Sequence, residues 1–334
     1  ITILERCSNA EERSNNLVRF VQLKRPLSEF IPPIEDEGER WIYVEKLIKF
    51  IESREGYYED DKIRIFTKKQ KELWEEGYEE EEKEYVGSKW GKYIRAPNIF
   101  FKILTKGSFI PFRMVAKIGR GLRTGCNDFF YLDEDKACKL GIINYVKPLI
   151  KSPKDSNYVL LSKTRLKNRV FTVNLDLEAL KDTKAYEYIK LGEREGVPGK
   201  RGKKEKWWSL DEECIDPDIL IPVQLWEAHK IFYKDIQERI FFDQQLSGIK
   251  VNSSFLAKVI CAYLNSTLGN LFLEVIGRSQ LGQGSLQLAS IDLKSLPVLS
   301  PLTLDESKRE KISRAFDELC KREILTVFEE IGAE

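Results

Sequence analysis

Residues Val115–Leu132 (VAKIGRGLRTGCNDFFYL) constrain this chain more than any other stretch. A β-type apolar run, a turn with three glycines and two arginines, and a second apolar run follow one another without a gap. Gly119, Gly121 and Gly125 are free to take φ > 0 and let the backbone come close to another molecule. Arg120, Arg123, Thr124 and Asn127 surround that backbone with cationic and hydrogen-bonding groups, which suits a phosphate-bearing partner. The spacing Gly119-x-Gly121-x-x-x-Gly125 misses the dinucleotide fingerprint Gly-x-Gly-x-x-Gly. Phe129–Leu132 also reads as a strand where that fingerprint needs a helix N-terminus. A nucleotide cradle is therefore disfavoured, and a tight hairpin turn and a DNA-contacting loop both stay open.

A chain of 334 residues has room for two domains, or for one large domain with a helical extension. Residues 1–98 carry 18 Lys/Arg against 22 Asp/Glu and residues 99–334 carry 37 against 32, so any basic surface must be local. The six cysteines (Cys7, Cys126, Cys138, Cys214, Cys261, Cys320) contain no Cys-x-x-Cys pair, which argues against a disulfide scaffold and a zinc ribbon and for reduced thiols in a cytoplasmic protein. No apolar run reaches membrane-spanning length and no signal peptide opens the chain. It starts at Ile1 and its only methionine is Met114, which reads as a piece of a longer protein.

Strands are expected at Ile1–Leu4 and Asn16–Leu23, with Glu11-Glu12-Arg13 as a polar bend between them. Helical spacing covers 39–52 (Trp41, Val44, Leu47, Ile48, Ile51), a short strand Ile63–Phe66, and Thr67 reads as the N-cap of a helix through Glu76. The acidic run 75–84 reads as a solvated helix face or loop, which would repel DNA and is expected to face away from any DNA surface. Asp133 caps a helix at 134–140, Tyr158–Ser162 and Val170–Leu175 are strands, and Asp176 starts a helix to about Leu191. Gly192–Lys206 reads as a mobile loop. Asn252 or Ser253 caps a helix through Leu264, and a second glycine-rich loop, Gly277–Gly284, precedes a strand at Ser285–Leu288. Thr303-x-x-Glu306 forms a capping box for a long helix with the stripe Ile312, Ala315, Phe316, Leu319, Ile324, Val327, Phe328 and Ile331. Without regular βα alternation the class is α+β, with a mixed sheet, a helical C-terminal part and a long C-terminal helix.

Catalytic and metal motifs do not appear. His229 is the only histidine, and its setting between Trp226 and Ile231 suits a half-buried structural role. There is no His-Glu-x-x-His, Walker loop or Gly-x-Ser-x-Gly. Basic stretches fit DNA better. Lys147–Arg169 holds seven Lys/Arg (Lys147, Lys151, Lys154, Lys163, Arg165, Lys167, Arg169) against Asp155. With Lys200, Arg201, Lys203, Lys204 and Lys206 these either neutralise phosphates or simply face water. Trp207 and Trp208 are candidates to stack on a displaced base, or core residues. Gln280, Gln283 and Gln287 are candidates for adenine edges, or plain loop residues.

The ordered set Gly87–Pro97 (GSKWGKYIRAP), Gly119–Phe130, Tyr145-x-Lys-Pro148, Lys206-Trp-Trp208, Tyr263–Ser266, Gly282-x-Gly-x-Leu-x-Leu288 and Asp292–Pro297 resembles the C-terminal target-recognition region of TaqI-like adenine-specific DNA methyltransferases, including those fused to restriction nucleases. The resemblance spans roughly 85–300. It implies three parts: 1–85 as a connector from a methyltransferase core plus a helical insertion, 86–300 as the DNA target-recognition domain, and 301–334 as a C-terminal helix. The family's Asn/Asp-Pro-Pro-Tyr/Phe motif has no counterpart, since Ile31-Pro-Pro-Ile34 lacks both amide and ring, and the glycine-rich S-adenosylmethionine loop is also missing. The resemblance thus implies recognition without the chemistry: no cofactor here, S-adenosylmethionine in the parent protein, and double-stranded DNA and the methyltransferase core as partners, with no membrane.

On that reading Lys117, Arg120, Arg123, Thr124, Asn127, Lys147, Lys163, Arg165, Lys204, Trp207, Arg278 and Gln283 are the expected DNA contacts. Arg120 and Arg123 are candidates for guanine, and Asn127 for adenine or for holding the loop. Arg123→Ala is expected to weaken specific binding by roughly 1–3 kcal/mol if Arg123 reads a base. The alternatives are a protein-interaction or scaffold module, a type I restriction specificity subunit and, more distantly, nucleotide hydrolysis at the first loop.

Overall fold

The computed structural model describes residues 5–79, 83–85, 87–162, 166–202, 204–210, 214–279 and 285–332. The chain divides into two compact units, Ile1–Lys106 and Gly107–Glu334. The strand expected at Ile1–Leu4 lies outside the described residues.

In the first unit, alternation in Ile63–Lys69 turns Ile63 and Ile65 inward, and this strand pairs antiparallel with Leu17–Leu23 on one side and Tyr57–Glu59 on the other. Phe66 meets Tyr93 and Phe101 at ring-centroid distances of 4.7 Å, and the buried residues Leu73, Ala96 and Phe100 complete a small core. The expected bend at 11–13 is a helical turn, Ala10–Asn15, because the Asn9 carboxamide accepts from the Glu11 and Glu12 amides. Thr67 does not cap a helix. It belongs to the strand and its hydroxyl donates to the Arg54 carbonyl, and the helix starts three residues later, at Gln70–Gly77. Helix Glu37–Glu52 forms as expected, capped by Asp36, and leaves Trp41, Ile42 and Ile48 exposed.

Two mixed sheets organise the second unit. The larger has the strand order Leu160–Leu161, Phe232–Lys234, Ile219–Pro222, Leu246–Val251 and Ala116–Arg120; the first pair is parallel and the rest antiparallel. The smaller runs Phe241–Phe242, Val146–Ile150, Asn168–Phe171 and Tyr131–Asp133, again with only its first pair parallel. Phe129, Phe130, Phe171, Trp207, Trp208, Phe241 and Phe242 pack into one core. With separate helices beside these mixed sheets, the class is α+β.

Local chemistry explains where several helices begin. Asp133 accepts from the Lys136 amide at 2.6 Å and starts Glu134–Lys139 as expected. The helix expected from Asp176 to Leu191 is two pieces, Leu177–Leu180 and Lys184–Arg194. Asp182 takes φ 68° between them and Thr183 caps the second. The stretch that reads as a mobile loop continues that helix to Arg194 and adds another, Val197–Lys200. Ser253 precedes Ser254–Leu264, and Ser266 caps Thr267–Ile276 across a turn so tight that a Cβ at Gly269 would lie 2.2 Å from the Tyr263 carbonyl oxygen.

The C-terminal helix is shorter than its apolar stripe suggests. Asp305, not Thr303, caps Glu306–Lys321 by accepting from the Lys308 amide. Thr303 closes a preceding 3₁₀ turn by donating to the Ser300 carbonyl. After Lys321 the chain leaves the helix because its amides find other partners: Ile324 donates to the Asn157 carbonyl and Val327 to that of Glu227. A short helix, Val327–Gly332, follows. Among the described residues no single helix is long and apolar enough to cross a membrane.

Candidate nucleic-acid interface

The glycine-rich segment is not a hairpin. Ala116–Arg120 is the edge strand of the larger sheet, while Tyr131–Asp133 belongs to the smaller one. Residues 121–126 therefore cross from one sheet to the other, and the expected strand at Phe129 opens instead as a helical turn, Asn127–Phe130. A second crossing lies beside it and leads from the smaller sheet to the larger, from Phe241–Phe242 through Asp243-Gln244-Gln245 into Leu246–Val251.

Backbone contacts lock the two crossings together. The Leu122 amide donates to the Phe242 carbonyl at 2.8 Å, and Leu122 bridges to Asp243. The glycines serve this packing. A Cβ at Gly121 would lie 2.1 Å from the Asp243 carbonyl oxygen, and one at Gly125, where φ is +69°, would lie 2.5 Å from the Lys200 carbonyl oxygen. Asp243 is buried, and its carboxylate accepts from the Tyr131 hydroxyl at 2.7 Å and the Gln245 amide at 3.0 Å. Burial first, and then the Asp243 carboxylate, push the Tyr131 hydroxyl well above the usual tyrosine range, so it stays a donor.

Arg201 closes the platform from beneath. Its guanidinium is buried, donates to the carbonyls of Trp207 (3.0 Å), Arg123 (3.2 Å), Ser209 (3.4 Å) and Thr124 (3.5 Å), and lies 5.1 Å from the Phe130 ring centroid. Expected to track phosphate with the 200–206 cluster, it is instead a structural fork. Thr124 is likewise buried, its hydroxyl bonded to the carboxamide of the exposed Asn127. Exposed side chains on and beside this platform are those of Lys117, Arg120, Arg123, Asn127, Lys200, Gln244 and Gln245, with the carboxylate of Asp128 exposed next to Asn127. Among the described residues Lys117 and Arg120 have no ion-pair or hydrogen-bond partner for their side chains, and Arg123 bonds only Gln244, from Nε to Oε1 at 3.0 Å.

The remaining expected contacts fare differently. Trp207 is 4% exposed and packed against Phe129 and Trp208, which removes the base-stacking role; its signal is that of a core tryptophan. Trp208 is buried too, its indole donating to the Leu175 carbonyl. Lys147 pairs with Glu238 at 3.5 Å, and Arg278 is committed to the fully buried Asp292 at 2.9 Å. Arg169 is buried against Glu134, and Lys206 pairs with Asp176. Lys151, Lys154, Lys167 and Lys204 are exposed. Lys163, Arg165, Lys203, Gln280 and Gln283 lie outside the described residues, as does most of the second glycine-rich loop. Gln287 pairs in a small strand with Gln224 and Arg278.

Residues 88–332 match the family of the type II methyltransferase M.Eco57I C-terminal domain. The chain belongs to this family. The match begins at Ser88, whereas the second compact unit begins at Gly107. Among solved structures the chain shares its fold with the type IIG restriction endonuclease BpuSI, at a TM-score of 0.54 and 12% identity; the likeness covers 94% of this chain and 43% of that one. The chain thus corresponds to less than half of that enzyme's length. Comparison with curated proteins gives no match.

Gln244 and the structural role of Arg201 are not legible in the sequence. A polar Asp-Gln-Gln between two apolar runs signals a turn, but nothing local shows that it lies beside a loop 121 positions earlier.

Proposed function

We propose that this chain is the DNA target-recognition part of an adenine-specific DNA methyltransferase or restriction-modification enzyme, and that it reads duplex DNA with the paired crossings at 117–127 and 243–245. The family membership supplies the methyltransferase context. The observation that carries the reading is a rigid backbone platform exposing Lys117, Arg120 and Arg123 with no carboxylate partner among the described residues. Unneutralised cations on a fixed frame suit a polyanion, whereas Lys147 and Lys206 are neutralised by acids of the same protein.

Phosphate contacts would fix the register, with Lys117, Lys151, Lys154, Lys167 and Lys204 as the exposed candidates. Base reading falls to the crossing loops. Methyl transfer belongs to a methyltransferase core that binds S-adenosylmethionine, the second partner of this chain, because the motifs for cofactor and flipped adenine have no counterpart here. We place the parent protein in the cytoplasm with its DNA.

Fluorescence anisotropy with a mixed-sequence duplex, across a salt series, tests this. The wild-type chain should bind at low salt with affinity falling steeply on a log–log plot, and Lys117→Ala with Arg120→Ala should flatten that slope by about one for each phosphate left unneutralised. Failure to bind duplex even at low salt would refute the reading and favour a scaffold role.

A further inference from the structure

On the target-recognition reading, and resting on it, Arg123 is the most closely aimed side chain of the platform. It is exposed at the centre of the first crossing, and its backbone is held twice: its carbonyl accepts from the buried Arg201, and Leu122 before it is bonded to Phe242. Its side chain is held once, by Nε donating to Gln244 Oε1 at 3.0 Å. Gln244 stands on an equally fixed turn, because its neighbour Asp243 is buried, bonded to Tyr131 and the Gln245 amide, and pressed against Gly121.

An acceptor on Nε leaves the two terminal nitrogens of the exposed guanidinium side by side, with no bond to another described residue. That end-on edge matches two acceptors set next to each other, which guanine offers in the major groove as O6 and N7. A phosphate takes the same edge, but a fixed orientation adds little there, because phosphate oxygens accept from many directions. The rotors of a long side chain would otherwise have to be frozen on binding, and the Gln244 contact freezes the last of them in advance.

We propose that Gln244 is a positioning residue that presents the terminal nitrogens of Arg123 to a guanine of the recognised duplex. Arg123 touches the base and Gln244 acts through it.

The test uses the 334-residue chain and a library of duplexes with a randomised centre, sequenced before and after selection. The wild-type chain should enrich a motif in which Arg123→Ala relaxes one guanine, lowering the preference there on the order of tenfold. Gln244→Ala should relax the same position with an unchanged salt slope, whereas Gln244→Glu, which keeps the acceptor, should retain the guanine preference while its charge lowers overall affinity. Replacing that guanine by 7-deazaguanine should weaken wild-type binding and have no further effect on Arg123→Ala. The proposal falls if Gln244→Ala leaves the motif intact, if it relaxes a position other than the one Arg123 governs, or if Arg123→Ala weakens all sequences equally with a flatter salt slope, the mark of a phosphate contact. A wild-type chain that binds duplex but enriches no motif overturns the target-recognition reading as well. Thermal unfolding of each variant, expected to match wild type because both side chains are exposed, separates these outcomes from misfolding.

Discussion

Replacing Arg201 by alanine is the sharpest perturbation of the platform, because one side chain ties separate backbone segments together. Its two shortest bonds, to the carbonyls of Trp207 and Arg123, are charge-assisted, and those to Ser209 and Thr124 are longer and weaker. Taking about 1.5–3 kcal/mol for each short bond gives roughly 3–6 kcal/mol, and the contact with Phe130 adds about 1 kcal/mol. Against this, alanine no longer has to desolvate a buried guanidinium, which returns several kcal/mol. A net loss of about 3 kcal/mol is expected. Arg201→Lys should recover less than half of it, because an ammonium cannot reproduce a fork that spans the Arg123 and Trp207 carbonyls. Urea unfolding followed by tryptophan fluorescence reads the effect directly, since Trp207 and Trp208 are buried beside the fork while Trp41, Trp74, Trp90 and Trp226 are much more exposed. The loosened 123–125 backbone should also lower sequence preference without altering the salt slope, since Arg201 itself does not face the partner. A loss below about 1 kcal/mol for alanine, or a lysine variant as stable as wild type, would refute the account of the fork as the tie between the segments.

The glycines give a graded set. Gly121→Ala and Gly125→Ala should each cost about 3 kcal/mol, because backbone oxygens stand 2.1 and 2.5 Å from the added Cβ, while Gly196→Ala, with φ +71° and open space, should cost only about 1 kcal/mol, the conformational part alone. Equal losses at all three positions in urea unfolding would contradict the packing explanation. In the first unit, burial pushes the Glu59 carboxyl up, but hydrogen bonds from Arg64, Lys24 and Tyr57 outweigh it and hold it down at about 2. A folded-state value below the unfolded one adds stability at pH above about 4.5 that drains away as pH falls toward about 2, on the order of 2 kcal/mol after solvent screening. Glu59→Gln should therefore be less stable than wild type at neutral pH and equal to it near pH 2 when both are followed by circular dichroism, and a gap that persists in acid would be inconsistent with this linkage. Arg278→Ala should destabilise the second unit by about 2–3 kcal/mol, because it strips a counter-ion from the fully buried Asp292, and adding Asp292→Asn should restore part of the loss. Additive losses in the double variant would show the two residues act separately.

Legibility in the sequence follows the range of the forces involved. Caps and periodicity act over a few residues, so Asp133, the helix over 39–52 and the strand ending at Leu23 can be read directly. Thr67 misleads because a β-branched hydroxyl residue suits a strand as well as a cap, and pairing with Arg19 of a distant strand decides between them. The break after Lys321 is invisible for the same kind of reason: an apolar stripe continues through it, and only amide partners at Asn157 and Glu227 end the helix. Gly121 and Gly125 do mark close backbone approach, as their residue type suggests, but what approaches them is this protein's own chain.

Basic residues show where sequence reading of a binding surface must stop. Within 147–169 and 200–206 the residues have the same chemistry, yet they divide into charges spent inside the protein and charges left exposed. Arg169, Arg201 and Lys206 meet Glu134, four carbonyls and Asp176, whereas Lys151, Lys154 and Lys167 stand exposed with no ion-pair partner among the described residues. Spacing along the chain does not separate the two groups, because the partners come from other elements. Burial explains Arg169 and Arg201, since a buried cation must find its counter-charge or carbonyl within the fold, while the half-buried Lys206 meets its acid nearer the surface. Charge substitutions should divide the same way: removing Arg169 or Arg201 should lower stability and leave the salt slope of DNA binding alone, while removing Lys151, Lys154 or Lys167 should leave stability alone and flatten the slope by about one for each lysine that meets a phosphate. If substitutions at the exposed lysines left the slope unchanged, this face would carry no phosphate, and recognition would rest on the crossing loops alone.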